Sequence, residues 1–288
     1  MEITRMIYFL TTKDMSKPLL IIGKPHSSKT VFIAQFYSRL QKQKSKLSLY
    51  KPVNDLSAIT AAREALANGE EPETTNTERS VNLILPIQFD KEKIDLLCPD
   101  YGGEQINTIL TSREVDKKWL DAIKESDNWI FFIRLNNISE QLDISKITVT
   151  EEHTQGSSEV AEIPFSISDQ SALIELLQIF LHSKEHDYHF KNAKVKLTVV
   201  LTCWDELETE EKPKQVLQKK LPLLLNFIES NWKVEKLKII GLSAQGFPLD
   251  NEENKEKYQI EGPENFGYLI KEDGQKTNDI TELISEAL

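Results

Sequence analysis

Short, continuous apolar runs recur along this chain, and helical patterns separate them. The runs have the length and composition of strands that are buried on both faces of a sheet. They occur at residues 18–23, 128–135, 195–202 and 236–246. Apolar residues at helical spacing occupy 31–42, 55–69, 171–183, 214–232 and 279–288. This alternation predicts a three-layer α/β fold with an open, mostly parallel sheet.

Turn and cap residues mark the limits of several elements. The segments at 80–89 and 92–100 both read as strands, and a tight turn at 90–91 joins them, so we expect one antiparallel strand in the sheet. The helix at 55–69 is expected to begin with Asp55 as its cap and to end at Asn-Gly.

The chain is long enough for one large or two small domains. We expect a single elaborated domain over residues 1–288, with a core at about 18–246 and a C-terminal extension at 247–288 that packs on the core. Residues 136–167 are polar and irregular, which indicates an insertion.

Charge and cysteine content exclude several classes of protein. The formal net charge of -11 provides no global basic field for a nucleic-acid backbone, so we predict no direct nucleic-acid partner. Two cysteines, Cys98 and Cys203, are too few for a disulfide scaffold and fit a reducing, cytoplasmic setting.

The apolar stretch MIYFL is too short for a signal-peptide core, and no run reaches the ~18 to 20 apolar residues of a membrane span.

The segment GKPHSSKT, residues 23–30, directly follows the first strand. It matches the phosphate-loop pattern G-x-x-x-x-G-K-[ST], except that Ser28 replaces the second glycine. In such a loop, backbone N–H groups and the helix N-terminus hold the phosphates, the lysine adds a point charge and the hydroxyl binds magnesium. The pattern assigns these parts to Gly23, Ser27, Ser28, Lys29 and Thr30. The alternative is a polar turn that carries Lys-Thr, because serine is strained where the backbone needs a positive φ.

A second polar segment, CPDYGGEQ, follows the strand at 92–100. Asp100 is placed to hold a magnesium-bound water, and Gly103 is placed to donate its backbone N–H to a γ-phosphate. Asp-Tyr-Gly-Gly is also an ordinary turn composition. Glu104 and Gln105 come next, beside the expected γ-phosphate, although Glu104 equally suits the first turn of a helix.

Two further segments follow the last two predicted strands. Thr202 to Asp205, TCWD, resembles the guanine-reading element [NT]-K-x-D, in which the aspartate accepts hydrogen bonds from guanine. Ser243 and Ala244 resemble the S-A-[KL] loop, whose backbone N–H contacts the guanine oxygen. Each segment also reads as a common cap or loop. The four segments in this order favour a nucleotide site, because ligands of such sheets bind at the carboxyl ends of the strands.

Together, GKPHSSKT, DYGG, TCWD and LSAQG resemble the Ras-like P-loop GTPases of the translation-factor-related class, over about residues 18–246. The resemblance implies a switch that binds GTP or GDP with Mg²⁺ and acts through a protein effector or assembly partner. The pattern at 66–75 and the tail FGYLIKEDGQKTNDITELI are similar to the bacterial double-GTPase group encoded near conflict and defence genes.

Some residues depart from the family's pattern. The switch threonine that reaches magnesium is expected at Thr75, and Thr74 and Thr77 are the alternatives. The segment is equally typical of a solvated loop with no function. Glu104 stands where related GTPases often place a water-orienting glutamine, and a carboxylate repels a γ-phosphate, so hydrolysis should be slow or dependent on a partner. Cys203 replaces the lysine that would lie along the base.

Lone arginines offer two candidate charge-neutralising fingers, Arg79 and Arg113, although most such arginines are surface groups. The leading hypothesis is a GTP-binding, possible GTP-hydrolysing switch in which Lys29, Glu104 and Gln105 take part in turnover. A degenerate GTPase-like scaffold that does not turn over nucleotide is the alternative from a different class. The third hypothesis is an ATP-using P-loop enzyme, in which Asp205 would take no part in recognising the base.

Overall fold

The computed structural model of the protein describes residues 16–53, 55–72, 82–99, 103–138 and 167–288. Its strands are β1 (Lys17–Gly23), β2 (Leu47–Leu49), β3 (Leu83–Phe89), β4 (Glu92–Cys98), β5 (Asn128–Arg134), β6 (Lys196–Thr202), β7 (Leu237–Ser243), β8 (Tyr268–Ile270) and β9 (Lys276–Thr277). Its helices are α1 (Lys29–Gln41), α2 (Ser57–Ala67), α3 (Glu104–Ser112), α4 (Lys117–Glu125), α5 (Asp169–Ser183), α6 (Pro213–Lys220), α7 (Pro222–Asn231), α8 (Glu252–Glu261) and α9 (Glu282–Ala287). None of the described helices is long and apolar enough to cross a membrane.

The strands form one sheet in the order β2-β3-β4-β1-β5-β6-β7-β8-β9. Strands β4, β1, β5, β6 and β7 run parallel, and β3 pairs antiparallel with β4. The predicted mostly parallel sheet and its antiparallel strand are therefore confirmed. The C-terminal extension adds β8 and β9, which continue the sheet antiparallel beyond β7.

Apolar side chains on both faces of the sheet produce the three layers. In β1, Leu20 and Ile22 pack with the layer that contains α3 to α7, whereas Leu19 and Ile21 pack with α1 and α9. Both pairs are buried, at 0–2% exposure, because successive side chains of a strand point to opposite faces. The carboxyl ends of the parallel strands consequently lie along one edge, between two layers of helices.

Two predicted helix limits are wrong. The single helix expected at 214–232 is two helices, since Pro222 has no backbone N–H and Leu221 leaves the helical region with φ -137°. Helix α2 begins at Ser57 after Leu56 as its N-cap residue, although the Asp55 carboxylate still accepts a hydrogen bond from the Ser57 N–H at 2.8 Å.

A buried arginine ties the C-terminal extension to α1. Arg39 is 3% exposed, and its guanidinium donates hydrogen bonds to the Phe266 carbonyl and, at 2.7 Å, to the Asn278 carbonyl. It also lies 3.7 Å from the Asp279 carboxylate. Burial lowers the pKa of Arg39, and the charge of Asp279 opposes that shift. The helix that begins at the phosphate loop is therefore joined at its other end to residues 266–279.

We expect Arg39→Ala to lower the free energy of unfolding by about 3 kcal/mol, because it removes a buried guanidinium, two carbonyls lose their donor and Asp279 loses its ion pair. Urea denaturation followed by circular dichroism measures the effect. The matched control is Arg113→Ala: Arg113 is exposed and pairs with Glu175, so its loss should cost less than about 1 kcal/mol. Equal effects of the two substitutions would contradict the anchoring role.

Candidate functional site

The side chain of Lys29 lies at the centre of the loop between β1 and α1. Its ammonium donates hydrogen bonds to the carbonyls of Gly23 at 2.7 Å and Lys24 at 2.9 Å, and to the Ser27 hydroxyl at 3.3 Å. The Ser27 hydroxyl in turn donates to the Lys24 carbonyl at 2.7 Å. Lys29 is 5% exposed, so its charge is held inside the loop by these oxygens. Thr30 follows it in the first turn of α1.

Ser28 adopts a left-handed backbone conformation. Glycine, which the pattern has at this position, adopts that conformation more easily. It is the N-cap residue of α1, with φ 62° and ψ 15°, and its side chain makes no capping hydrogen bond. His26 also has a positive φ, 60°. The left-handed region is unfavourable for residues that carry a Cβ atom. Serine at this position is therefore strained, as is His26 in the same loop.

The two residues that depart from the pattern, Ser28 and Cys203, lie close to each other. Burial raises the pKa of the Cys203 thiol to about 12, and the Ser28 contact acts in the opposite direction. The phosphate loop and the loop after β6 are therefore adjacent, as the predicted site requires.

Gly103 places the start of α3 against the phosphate loop. It has φ 90°, and a Cβ atom added to it would lie 2.7 Å from the Pro25 nitrogen and 2.8 Å from the Lys29 ammonium. Only glycine permits this approach. Of the next two residues, Glu104 is exposed, whereas the side-chain Oε1 of Gln105 accepts a hydrogen bond from the Trp119 indole at 2.8 Å, which ties Gln105 to α4. Asp100 and the threonines Thr74, Thr75 and Thr77 lie outside the described residues, as does Arg79.

Thr202 and Asp205 occupy the end of β6 and the turn that follows. Thr202 is fully buried, and its hydroxyl has no hydrogen-bond partner in the described part of the chain. Asp205 lies half-buried in the short 3-10 turn Trp204–Leu207. Burial raises the pKa of Tyr268 to about 12, and the charge of Asp205 adds to that shift, so Asp205 lies near this residue of the C-terminal extension. Trp204 is 4% exposed and packs on Gly241, so it belongs to the core.

The C-terminal extension covers the loop after β7. The Ser243 hydroxyl, fully buried, accepts a hydrogen bond from the Gly246 N–H at 2.8 Å. A Cβ atom on Gly267 would lie 2.6 Å from the carbonyl oxygen of Ala244, so the two backbones are in close contact. The Tyr258 hydroxyl donates to the Gln245 carbonyl at 3.2 Å and accepts a hydrogen bond from Gln35 of α1. The sequence analysis did not include Gly267 or Tyr258 in the site.

Arg134 is a further residue that the sequence analysis missed. It ends β5, and its guanidinium forms an ion pair with Glu206, with one N–H···O distance of 3.2 Å. The same hydrogen bonding is the main cause that raises the pKa of Arg134. Ligands of such sheets bind at the carboxyl ends of the strands. The position of Arg134 at the end of the apolar run 128–135 is therefore the signal in the sequence that indicates this residue.

A cavity of about 530 Å³ lies between the phosphate loop, the end of β5, α3 and α5. Its lining includes Lys24, Ser27, Glu104, Arg134 and Asp169. The other candidate finger, Arg113, is an exposed residue at the end of α3 whose Nε lies 2.6 Å from Glu175, which fits the surface interpretation. Among the described residues, no group of three or more His, Cys, Asp or Glu side chains is placed to hold a metal ion.

The left-handed conformation of Ser28 has a measurable consequence. We expect Ser28→Gly to be more stable than Ser28→Ala by about 1 kcal/mol, because both lose the serine hydroxyl and only glycine relieves the strain. Thermal and urea unfolding measure the difference. At Ser38, inside α1, the same pair of substitutions should give the opposite order, since alanine favours a helix interior. The same order at both positions would contradict strain at Ser28.

The strand–loop–helix around Lys29, the parallel sheet and the adjoining loops define a P-loop protein of the GTPase superfamily. The chain belongs to the Double-GTPase 1 family, whose family model matches residues 20–287. No curated protein sequence matches it.

Several solved structures are similar to the chain. The Arl6 BBS3 small GTPase of Trypanosoma brucei, with a bound nucleotide analogue, shares 11% identity over 86% of this chain and 96% of its own, with a TM-score of 0.39. The GTP-bound GTPase-like domain of Ski7 from S. cerevisiae shares 14% identity over 82% of this chain and 44% of its own, with a TM-score of 0.40. The signal recognition particle receptor SRb-GTP/SRX complex of Chaetomium thermophilum shares 15% identity over 86% and 98%, with a TM-score of 0.40. These similarities are weak and add nothing to the family match.

Proposed function

We propose that the protein is a GTP-binding switch that acts in the cytoplasm through a protein partner. The observation that carries the proposal is the buried ammonium of Lys29 at the start of α1, in a loop whose Ser28 lies near Cys203 of the loop that holds Asp205. One ligand with an anionic end and a purine end fits two such loops side by side.

The phosphates are assigned to the loop between β1 and α1. The N-terminus of α1 and the Lys29 ammonium both favour negative charge there. The carbonyls that now hold Lys29 belong to the same loop, so the ammonium needs only a short movement to meet a phosphate oxygen. Gly103 is the next closest backbone and would give its N–H to the γ-phosphate.

Magnesium is assigned to the Thr30 hydroxyl, with Asp100 and Thr75 as the further protein groups. Hydroxyl and carboxylate oxygens are hard donors that suit Mg²⁺, which usually keeps waters and substrate phosphates as its other ligands. The small number of protein donors among the described residues is therefore compatible with this ion. Bound magnesium would neutralise charge on the phosphates.

The base is assigned to the loops after β6 and β7. In the described part of the chain, the Asp205 carboxylate has no hydrogen-bond or ion-pair partner, so its oxygens can accept from the ring N–H and the amine of guanine. Thr202 supports that turn from the end of β6, and the backbone N–H of Ala244 is the contact for the guanine oxygen.

Turnover is expected to be slow or dependent on the partner. Glu104 is exposed on the first turn of α3 and lines the cavity beside Lys24 and Ser27, where its charge opposes a γ-phosphate. Gln105 would orient water only after leaving Trp119. The segments near Thr75 and after Asp100 are the proposed switch surfaces, because they would respond to the γ-phosphate.

Within this proposal the chain acts as a single elaborated domain. The extension at 247–288 supports the core through Arg39 and through the contact of Gly267 with Ala244. A role in a bacterial defence system is proposed from the resemblance to the double-GTPase group. A scaffold that does not turn over nucleotide is the second candidate, favoured by the strained Ser28 and by Cys203 in place of lysine.

We expect Lys29→Ala to lower the affinity for GTP by at least about 100-fold, because it removes the cation nearest the phosphates. Isothermal titration calorimetry with GTP and magnesium measures the affinity, and near-ultraviolet circular dichroism checks the fold. Exposed Lys46, beyond α1, provides the control Lys46→Ala, which should bind normally. Unchanged binding by Lys29→Ala would show that the phosphates bind elsewhere. No binding of GTP, GDP or ATP by the unaltered protein would favour the scaffold.

Base preference depends on Asp205 in this proposal. Asp205→Asn should reduce the affinity for GTP about tenfold and leave that for ATP unchanged, because the amide cannot accept both guanine hydrogen bonds. Competition of unlabelled nucleotides against a fluorescent GTP analogue measures both affinities. Glu208→Gln, an exposed change at the end of the same turn, is the control. Tighter binding of ATP than of GTP by the unaltered protein would select the ATP-using enzyme instead.

A further inference from the structure

The turn that carries Asp205 is strained at both ends. Cys203 precedes it with φ 51°, and Glu208 follows it with φ 44°. Neither residue is glycine, and residues with a Cβ atom adopt this conformation only where surrounding contacts impose it. The position of Asp205 therefore depends on the contacts that hold its neighbours.

Trp204 fixes one side of the turn. Its indole is 4% exposed and lies on the backbone of β7, where a Cβ atom on Gly241 would meet the ring at 2.4 Å. The register pairs β6 with β7, so the tryptophan packs over the neighbouring strand. This apolar contact holds the turn against the backbone of β7.

Glu206 fixes the other side. Its carboxylate accepts hydrogen bonds from Nε and Nη2 of Arg134, and the Asn136 amide donates to its backbone carbonyl at 3.1 Å and to its carboxylate at 3.3 Å. Arg134 and Glu206 are both half-buried, with side chains 32% and 25% exposed. A planar guanidinium that grips a carboxylate with two N–H groups restricts orientation more than a single ion pair does.

Asp205 lies between these two fixed residues. We infer that Arg134 is a positioning residue for base recognition: by holding Glu206 on β5, it sets where the Asp205 carboxylate meets the purine. The inference rests on the proposed GTP binding. In this inference Arg134 acts on the base through the turn that carries Asp205.

A comparison of GTP with ITP isolates this effect, because hypoxanthine keeps the ring N–H of guanine and lacks its exocyclic amine. We expect the unaltered protein to prefer GTP about tenfold, and Arg134→Ala to reduce that preference to about twofold. Calorimetry with each nucleotide and magnesium gives the two affinities. Arg134→Lys should restore part of the preference, since lysine keeps the ion pair with Glu206 and loses the fork.

Glu206→Gln provides a second route to the same prediction, since it keeps the side-chain volume and removes the charge that Arg134 grips. It should lower the preference as Arg134→Ala does, and the double variant should lower it no further. Arg113→Ala, which removes an exposed arginine paired with Glu175, should leave the preference unchanged.

The outcomes separate this inference from the proposed function. If the unaltered protein binds neither nucleotide, the proposed function fails and the inference fails with it. If the unaltered protein prefers GTP and Arg134→Ala lowers both affinities by the same factor, Arg134 acts on the fold or on the phosphates, which it can approach through the shared cavity, and only the inference is overturned.

Discussion

The buried ammonium of Lys29 is the charge around which one edge of the sheet is organised. A buried cation requires partners, and here the carbonyls of Gly23 and Lys24 supply them. Gly103 lies against the same ammonium, and Cys98, at the end of β4, is close enough for the lysine to oppose the burial that raises its pKa to about 12. Three chain segments thus converge on one positive charge. Such an arrangement favours an anion at this edge, and it explains why the glycine at 103 admits no side chain.

Ser28 and Cys203 show how departures from a pattern depend on their surroundings. In the sequence each substitution counts separately against a working nucleotide site. In the folded chain the two residues lie close to each other, and both have a positive φ. The serine in the loop between β1 and α1 and the cysteine in the loop after β6 are therefore neighbours.

Much of the sheet could be predicted from the sequence, because strands buried on both faces leave long apolar runs such as that of β1. The loop around Lys29 could be predicted because its residue types follow from phosphate chemistry. Strands β8 and β9 could not, since segments of three and two residues carry no periodicity. The contacts of Arg134 could not either, because the pairing of an arginine with a distant glutamate depends on which strands become neighbours.

Helix α1 spans 13 residues, or about 20 Å, from Lys29 at the phosphate loop to the turns beyond Arg39. Near the far end of α1, Arg39 is hydrogen-bonded to the segment 266–279. Gly267 of the same segment also lies against the loop at Ser243. During translation these residues leave the ribosome after every other part of the site. This edge of the sheet therefore acquires its full set of contacts only after residues 266–279 have been synthesised.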